Sequence, residues 1–146
     1  MSVRKATSRD VNELNYLLKK LWEEKPSYMR DINDASELLN DEKAKVFVAE
    51  SNGNLYGFLV AYRENDKNKI VMVYVLPDRR NHGYGLKLTE YAVNYLEGCI
   101  EACVSPFNED MIRILKKLEF ICEDPGDEDY GTRLAKWRLI KKDKSK

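Results

Sequence analysis

The residues best equipped for chemistry form one stretch, Val75-Leu76-Pro77-Asp78-Arg79-Arg80-Asn81-His82-Gly83-Tyr84-Gly85-Leu86. Pro77 has no N–H to donate, so a strand arriving over residues 70–76 must leave its ladder there. Gly83 and Gly85 permit backbone angles and close approaches that a β-carbon blocks. After them Leu88, Tyr91, Ala92 and Tyr95 recur at helical spacing, so the glycines open a helix that stops near Gly98. The first turn of a helix leaves N–H groups unbonded, and the helix dipole adds partial positive charge. Amides of a glycine loop placed there form a nest for an anion, and Arg79 or Arg80 adds full charge. Pyrophosphate suits this chemistry.

Two other glycine-loop chemistries fail on spacing. A dinucleotide fingerprint needs a third glycine where Leu88 stands, and it belongs near the start of a parallel βαβ unit. A nucleoside-triphosphate loop needs Gly-Lys followed by Ser or Thr, which the chain lacks.

The surrounding pattern supplies a scaffold. Residues 3–6 read as a short strand, and Thr7 with Asp10 gives a capping-box start to a helix. Val11, Leu14, Leu17, Leu18, Leu21 and Trp22 make its apolar stripe, up to Pro26. Residues 27–33 read as a loop, and Asp34 with Glu37 starts a short helix to about Leu39. Residues 45–50 and 55–63, rich in Val, Phe, Leu and Tyr, read as strands joined through Asn52-Gly53, a hairpin turn signal. Residues 65–68 turn into 70–76, a run apolar enough to be expected buried on both faces. Residues 99–104 read as a strand, 108–118 as a helix, and 120–122 and 134–140 as closing strands around an acidic loop at 123–131.

Composition limits the function further. The chain has 146 residues, 43% hydrophobic and 34% charged, which predicts one folded domain over 1–146 with a fraying basic tail at 141–146. Twenty-five Lys and Arg balance 25 Asp and Glu, so no global field draws the protein to nucleic acid or an anionic membrane. No apolar run is long enough to span a bilayer and no signal peptide is evident, so a cytoplasmic location is expected. Cys99, Cys103 and Cys122 are an odd set without CxxC spacing, read as buried reduced thiols, and no metal site is expected.

The motif V-x-P-x-x-R-x-x-G-x-G followed by an amphipathic helix resembles the acyl-CoA-binding motif of the GNAT superfamily of N-acyltransferases. The likeness covers nearly the whole chain, from the opening strand and Thr7–Asp10 through the Gly57-Phe58 hairpin to the helix before Phe120. It implies an α/β (α+β) fold, a mixed and mainly antiparallel sheet of six to seven strands flanked by about four helices. It also implies acetyl-CoA as co-substrate. By position, Val73, Tyr74 and Val75 would line the pantetheine arm, and Arg80, Asn81, His82, Gly83, Tyr84, Gly85 and Leu86 the pyrophosphate. The cofactor would enter a V-shaped gap between the motif strand and the strand at 99–104. Asn108 matches a family asparagine that contacts the cofactor, and it reads equally well as a simple N-cap.

Two positions depart from the family pattern. Leu115 replaces the tyrosine that often protonates the departing thiolate, and Glu119 replaces the glycine before Phe120. A thiol titrates near pH 8.5, so release as thiolate at pH 7 costs about 2 kcal/mol, which slows the reaction without forbidding it. Tyr130, Tyr74, Ser105 and Cys103 are the substitute donors on offer; Cys103 as a nucleophile lacks an adjacent histidine, since the single His82 lies in the phosphate loop. An amine nucleophile must lose a proton, and residues 70–76 contain no carboxylate, which leaves Glu50, Glu64 or ordered water. The resemblance places an oxyanion donor at a backbone N–H near Val75. Direct attack in a ternary complex, without an acyl-enzyme, is the expected route.

Glu123, Asp124, Asp127, Glu128 and Asp129 would border the acceptor, so a cationic amine is one expectation and a merely solvated loop the other. The segment 22–30 is the candidate opposite wall. The functions in view are an N-acetyltransferase acting on a primary amine, a catalytically silent acyl-CoA-binding or regulatory module, and a protein-interaction domain. Acceptor, acyl length and assembly stay open, a homodimer among them.

Overall fold

The computed structural model describes residues 2–24, 34–127 and 133–140. Strand β1 (Ser2–Lys5) leads through a 3-10 turn at Ser8–Asp10 into helix α1 (Val11–Glu24). The Thr7 N–H donates to the Asp10 carboxylate at 2.7 Å, so the capping signal in the sequence fixes where the chain turns. Helix α2 (Ala35–Asn40) starts at Asp34, whose side chain accepts from the Ser36 N–H. Strands β2 (Ala44–Ser51), β3 (Asn54–Glu64) and β4 (Lys67–Val75) follow as a meander. Then come helix α3 (Tyr84–Tyr95), β5 (Cys99–Val104), helix α4 (Glu109–Lys117), β6 (Ile121–Asp124) and β7 (Ala135–Ile140).

The seven strands form one sheet in the order β1-β2-β3-β4-β5-β7-β6. Every neighbouring pair is antiparallel except β4 and β5, which run parallel because α3 carries the chain back between them. Helices cover both faces. On the first face Leu88 and Ala92 of α3 and Leu115 of α4 pack with Phe47, Leu59, Ile100 and Trp137. On the second, Leu14, Leu17 and Leu21 of α1 and Leu38 of α2 pack with Val46, Phe58, Val60, Met72 and Tyr74. Each fully buried Leu or Phe stabilises the fold by about 1.5–3 kcal/mol, so the two layers are what hold the sheet.

Three expectations need correction. β4 is not buried on both faces: Ile70, Met72 and Tyr74 are buried, while Val71, Val73 and Val75 are half-exposed. The cause is the loss of a neighbour on the β5 side, described below. Glu123 and Asp124 belong to β6 and not to a loop. None of the cysteines is fully buried, and Cys122 is exposed because β6 is the edge of the sheet.

Candidate active site

The site begins with a break in strand pairing. β4 and β5 pair at Lys67 with Cys99 through Ile70 with Ala102, and among the described residues the ladder ends there. A bulge stands at the same level: Val60 and Ala61 of β3 face Met72 and Ile70, so Val71 is an extra residue on β4. A bulge raises local twist and bends its strand, which turns the rest of β4 away from β5. The result is a V-shaped gap flanked by residues 71–75 and 103–104.

Backbone alternation determines what points into the gap. The Leu76 N–H donates to Tyr56 of β3 at 2.9 Å, so the groups of Tyr74 and Met72 also turn toward β3. Those of Val73 and Val75 therefore turn toward the β5 side. The Val75 carbonyl accepts from Arg80 Nε at 2.9 Å. The backbone of Val73 and the Val75 N–H are left to meet an extended ligand laid along β4.

At the wide end of the gap stands the start of α3. Gly83 is its N-cap with φ 84°, a left-handed angle that strains any residue with a β-carbon, and no side chain among the described residues caps it. The Lys87 N–H is the first to bond back into the helix, to Gly83 at 3.0 Å. That leaves the Tyr84, Gly85 and Leu86 amides without helical partners, the groups that an anion at a helix start would meet. Gly85 permits close packing, since a β-carbon there would stand 3.3 Å from Ile114 Cδ1 of α4. Asn81 also has a positive φ, 67°, and His82 is exposed.

The two arginines of the loop part company. Arg79 lies 4.2 Å over the Tyr56 ring, which meets Tyr84, the first residue of α3, edge to face at 6.2 Å. Its cation is thus on the α3 side, and its buried Nε has no hydrogen-bond partner among the described residues. Arg80 turns the other way. Its Nη2 donates to both oxygens of Glu24 at 2.9 Å, and its guanidinium stands 5.5 Å from the Tyr74 ring. Asn108 caps α4 by accepting from the Met111 N–H at 3.1 Å.

A profile of the acetyltransferase (GNAT) family matches residues 11–120. The chain belongs to the GNAT acetyltransferase family. Its fold matches aminoglycoside 6'-acetyltransferase type Ii with a TM-score of 0.77 at 16% identity, over 96% of this chain and 97% of that one. It matches ribosomal-protein-alanine N-acetyltransferase from Brucella melitensis at TM-score 0.73 and 20% identity, covering 97% and 100%. A third match is yncA from Salmonella typhimurium, solved with its cofactor acetyl-CoA, at TM-score 0.74 and 20% identity over 100% and 96%. No curated protein matches the sequence.

In this GNAT domain the candidate proton-handling residues are scattered. Glu50 is on β2, with β3 and β4 between it and the gap, and it accepts from Arg4 at 3.2 Å. Glu64 is exposed and opposite Lys67, at the closed end of the β3–β4 hairpin. Ser105 follows β5 and accepts from the Phe107 N–H at 3.2 Å. Tyr74 is buried on the α1 side, and its hydroxyl has no hydrogen-bond partner among the described residues. Burial, then the nearby Glu24 carboxylate, pushes that phenol far above its ordinary pKa, so it stays protonated. Cys103 is half-buried just past the last paired residue. Leu115 is fully buried between α4 and the sheet. Tyr130, Glu128 and Asp129 lie outside the described residues.

Of the acids expected to attract a cationic acceptor, Glu123 pairs with Arg138 at 2.7 Å and Asp124 with Arg133. Asp124 is held below the usual carboxylate range by the Gly126 N–H and then by Arg133. The carboxylate that sequence reading passed over is Glu101 of β5, buried beside the apex of the gap. A lone acid inside the apolar run Cys-Ile-Glu-Ala-Cys-Val was the available signal. Lys136 and Lys67 overcome its burial and hold its pKa down. Among the described residues no cluster of three or more His, Cys, Asp or Glu could hold a metal, and no helix is long and apolar enough to cross a membrane.

Proposed function

We propose that this chain is an acetyl-CoA-dependent N-acetyltransferase that acts on a primary amine. The observation that carries the reading is the gap between β4 and β5, opening after Ile70 and Ala102 and ending at the free amides of α3. Acetyl-CoA fits the residues present, because the gap accepts an extended arm and the helix start accepts phosphates. Bound there, it supplies an activated thioester.

The residues of the chain do the rest. Gly83, Tyr84, Gly85 and Leu86 hold pyrophosphate through their amides, and Arg79 adds its charge from the α3 side. The Val73 backbone aligns the arm, and the Val75 N–H is the donor for charge that develops on the thioester oxygen. An amine entering from the second face attacks directly, without an acyl-enzyme. Its proton leaves through ordered water, because neither Glu50 nor Glu64 stands at the gap. Alignment and desolvation therefore carry most of the rate. Leu115 offers no proton to the leaving thiolate, which favours a second reading as a silent acyl-CoA-binding module.

The test is thermal unfolding with acetyl-CoA at about 100 times its dissociation constant, beside a Gly83→Trp variant, with product formation followed across amines. Ligand linkage predicts about 2.7 kcal/mol of stabilisation, hence a rise of about 5–10 °C in the parent alone. No rise removes the reading. A rise without acetylation of any amine selects the silent module.

A further inference from the structure

The second face of the sheet changes character past β4. The cluster under α1 and α2 includes no side chain of β5, β6 or β7. Ile100 and Ala102 of β5, and Ala135 and Trp137 of β7, belong to the first face, so Glu101, Cys103, Lys136 and Arg138 lie on the second. In register, Glu101 stands opposite Lys69 on one side and Arg138 on the other, and Lys136 is opposite Cys103. Lys67 Nζ and Lys136 Nζ each approach the same Glu101 oxygen, Oε2, at 3.2 Å.

Asp124 of β6 stands opposite Lys136 in register but is itself bonded to Arg133, so Glu101 is the one carboxylate that Lys67 and Lys136 share in an ion pair among the described residues. Two ammonium groups converge on one oxygen, and each keeps further N–H donors, with the lysine side chains 42% and 41% exposed. Arg138 is already matched by Glu123. Like charges brought this close repel, and a second anion on the exposed side would relieve them. Glu101 is one residue short of the level at which β4 and β5 separate, about 3.3 Å along the strand. The convergence point is therefore within the span of a small molecule whose amine sits at the start of the gap.

We propose that the acceptor is an amine that also carries a carboxylate, and that Lys136 and Lys67 receive that carboxylate on the second face while the amine meets the thioester. This rests on the transferase reading of the gap. It reverses the polarity expected from the acidic segment, because Glu123 and Asp124 are already paired with arginines.

The experiment compares glycine, β-alanine and 4-aminobutyrate, each against its carboxamide, by CoA release at saturating acetyl-CoA and by calorimetric binding to the CoA-loaded protein. At least one acid is expected to exceed its amide about tenfold in kcat/KM or in affinity, the size of one charge-assisted hydrogen bond. Lys136→Met should raise KM for that acid about tenfold and leave the amide unchanged. Glu101→Gln, which frees donors on both lysines, should lower it. Equal use and equal binding of acids and amides overturns the proposal, as does a preference that survives both Lys136→Met and Lys67→Met. Acetyl-CoA stabilisation measured on the same samples separates the two failures: without it the transferase reading falls, and with it only the acceptor assignment does.

Discussion

Arg80, in the loop between β4 and α3, reaches back to Glu24, the last residue of α1, and one guanidinium nitrogen donates to both carboxylate oxygens at 2.9 Å. With Nε on the Val75 carbonyl, the side chain ties the end of β4, the loop after it and the helix bordering the second face into one unit. The charge of Arg80 is thus already answered by Glu24, which predicts a role through shape and not through charge. Arg80→Lys should weaken acetyl-CoA binding nearly as much as Arg80→Ala, about three- to tenfold, because a lysine cannot make both contacts. Calorimetry at two salt concentrations checks this. A lysine variant that binds like the parent would show that charge, and not the tie, is what matters.

Gly57 and Gly85 differ in what surrounds them. A β-carbon on Gly57 would stand 2.8 Å from the Tyr74 carbonyl oxygen, a backbone atom of the neighbouring strand, and 3.3 Å from Leu88 of α3. On Gly85 it would meet only the flexible end of Ile114. Gly57→Ala should cost about 2 kcal/mol or more by forcing β3, β4 and α3 apart, whereas Gly85→Ala should cost less than about 1 kcal/mol. Denaturant midpoints for the two variants make the comparison, and equal midpoints would contradict it.

The positions of the glycine loop and both helix layers were legible because each rests on local chemistry. Pro77, Gly83 and the stripe from Leu88 to Tyr95 fix a strand end, a left-handed cap and a helix without reference to distant residues. The strand order was not legible from pattern: the resemblance implied a mainly antiparallel sheet with the motif strand beside the strand at 99–104, and it left the insertion of β7 between β5 and β6 unread. Side-chain roles fared worst, because they depend on what lies across the sheet. Arg80 and Glu24 are 56 residues apart, and the Glu101 pairs with Lys67 and Lys136 join three strands. The acids of β6 looked free until their arginine partners on β7 and just before it were in place.

Glu119 shows the cost of one departure from the family pattern. It has φ 69° just after α4, and the chain closes there with Glu119 N–H on Lys116 and Phe120 N–H on Leu115, at 3.0 and 2.9 Å. This double closure, with Phe120 and Leu115 in the same core, is the helix end at which glycine is favoured. Relieving a left-handed non-glycine residue is worth about 1 kcal/mol. Glu119→Gly should therefore stabilise the protein, raising the unfolding midpoint by a few degrees while leaving acetyl-CoA binding unchanged. A lower midpoint would mean that the glutamate side chain contributes more than the strain removes.

Arg4 joins β1 to the start of α1 through Asp10, with Nη1 and Nη2 at 2.8 and 2.9 Å from its two oxygens, and through Glu50. Asp10 is buried, and the Arg4 guanidinium first, then the Thr7 amide, hold its carboxyl below the usual carboxylate range against the effect of burial. The folded-state pKa thus lies below the unfolded value near 3.9, so the unfolded chain binds the proton more readily. The stabilisation is complete above about pH 4 and is lost as pH falls through the folded value. Asp10→Asn should cost about 1–2 kcal/mol at pH 7, since a charge-assisted pair becomes a neutral contact. The gap between variant and parent should then narrow as the pH is lowered from 5 toward 2. Chemical denaturation across that range checks the sign, and a difference that stays constant with pH would place the stabilising contact elsewhere.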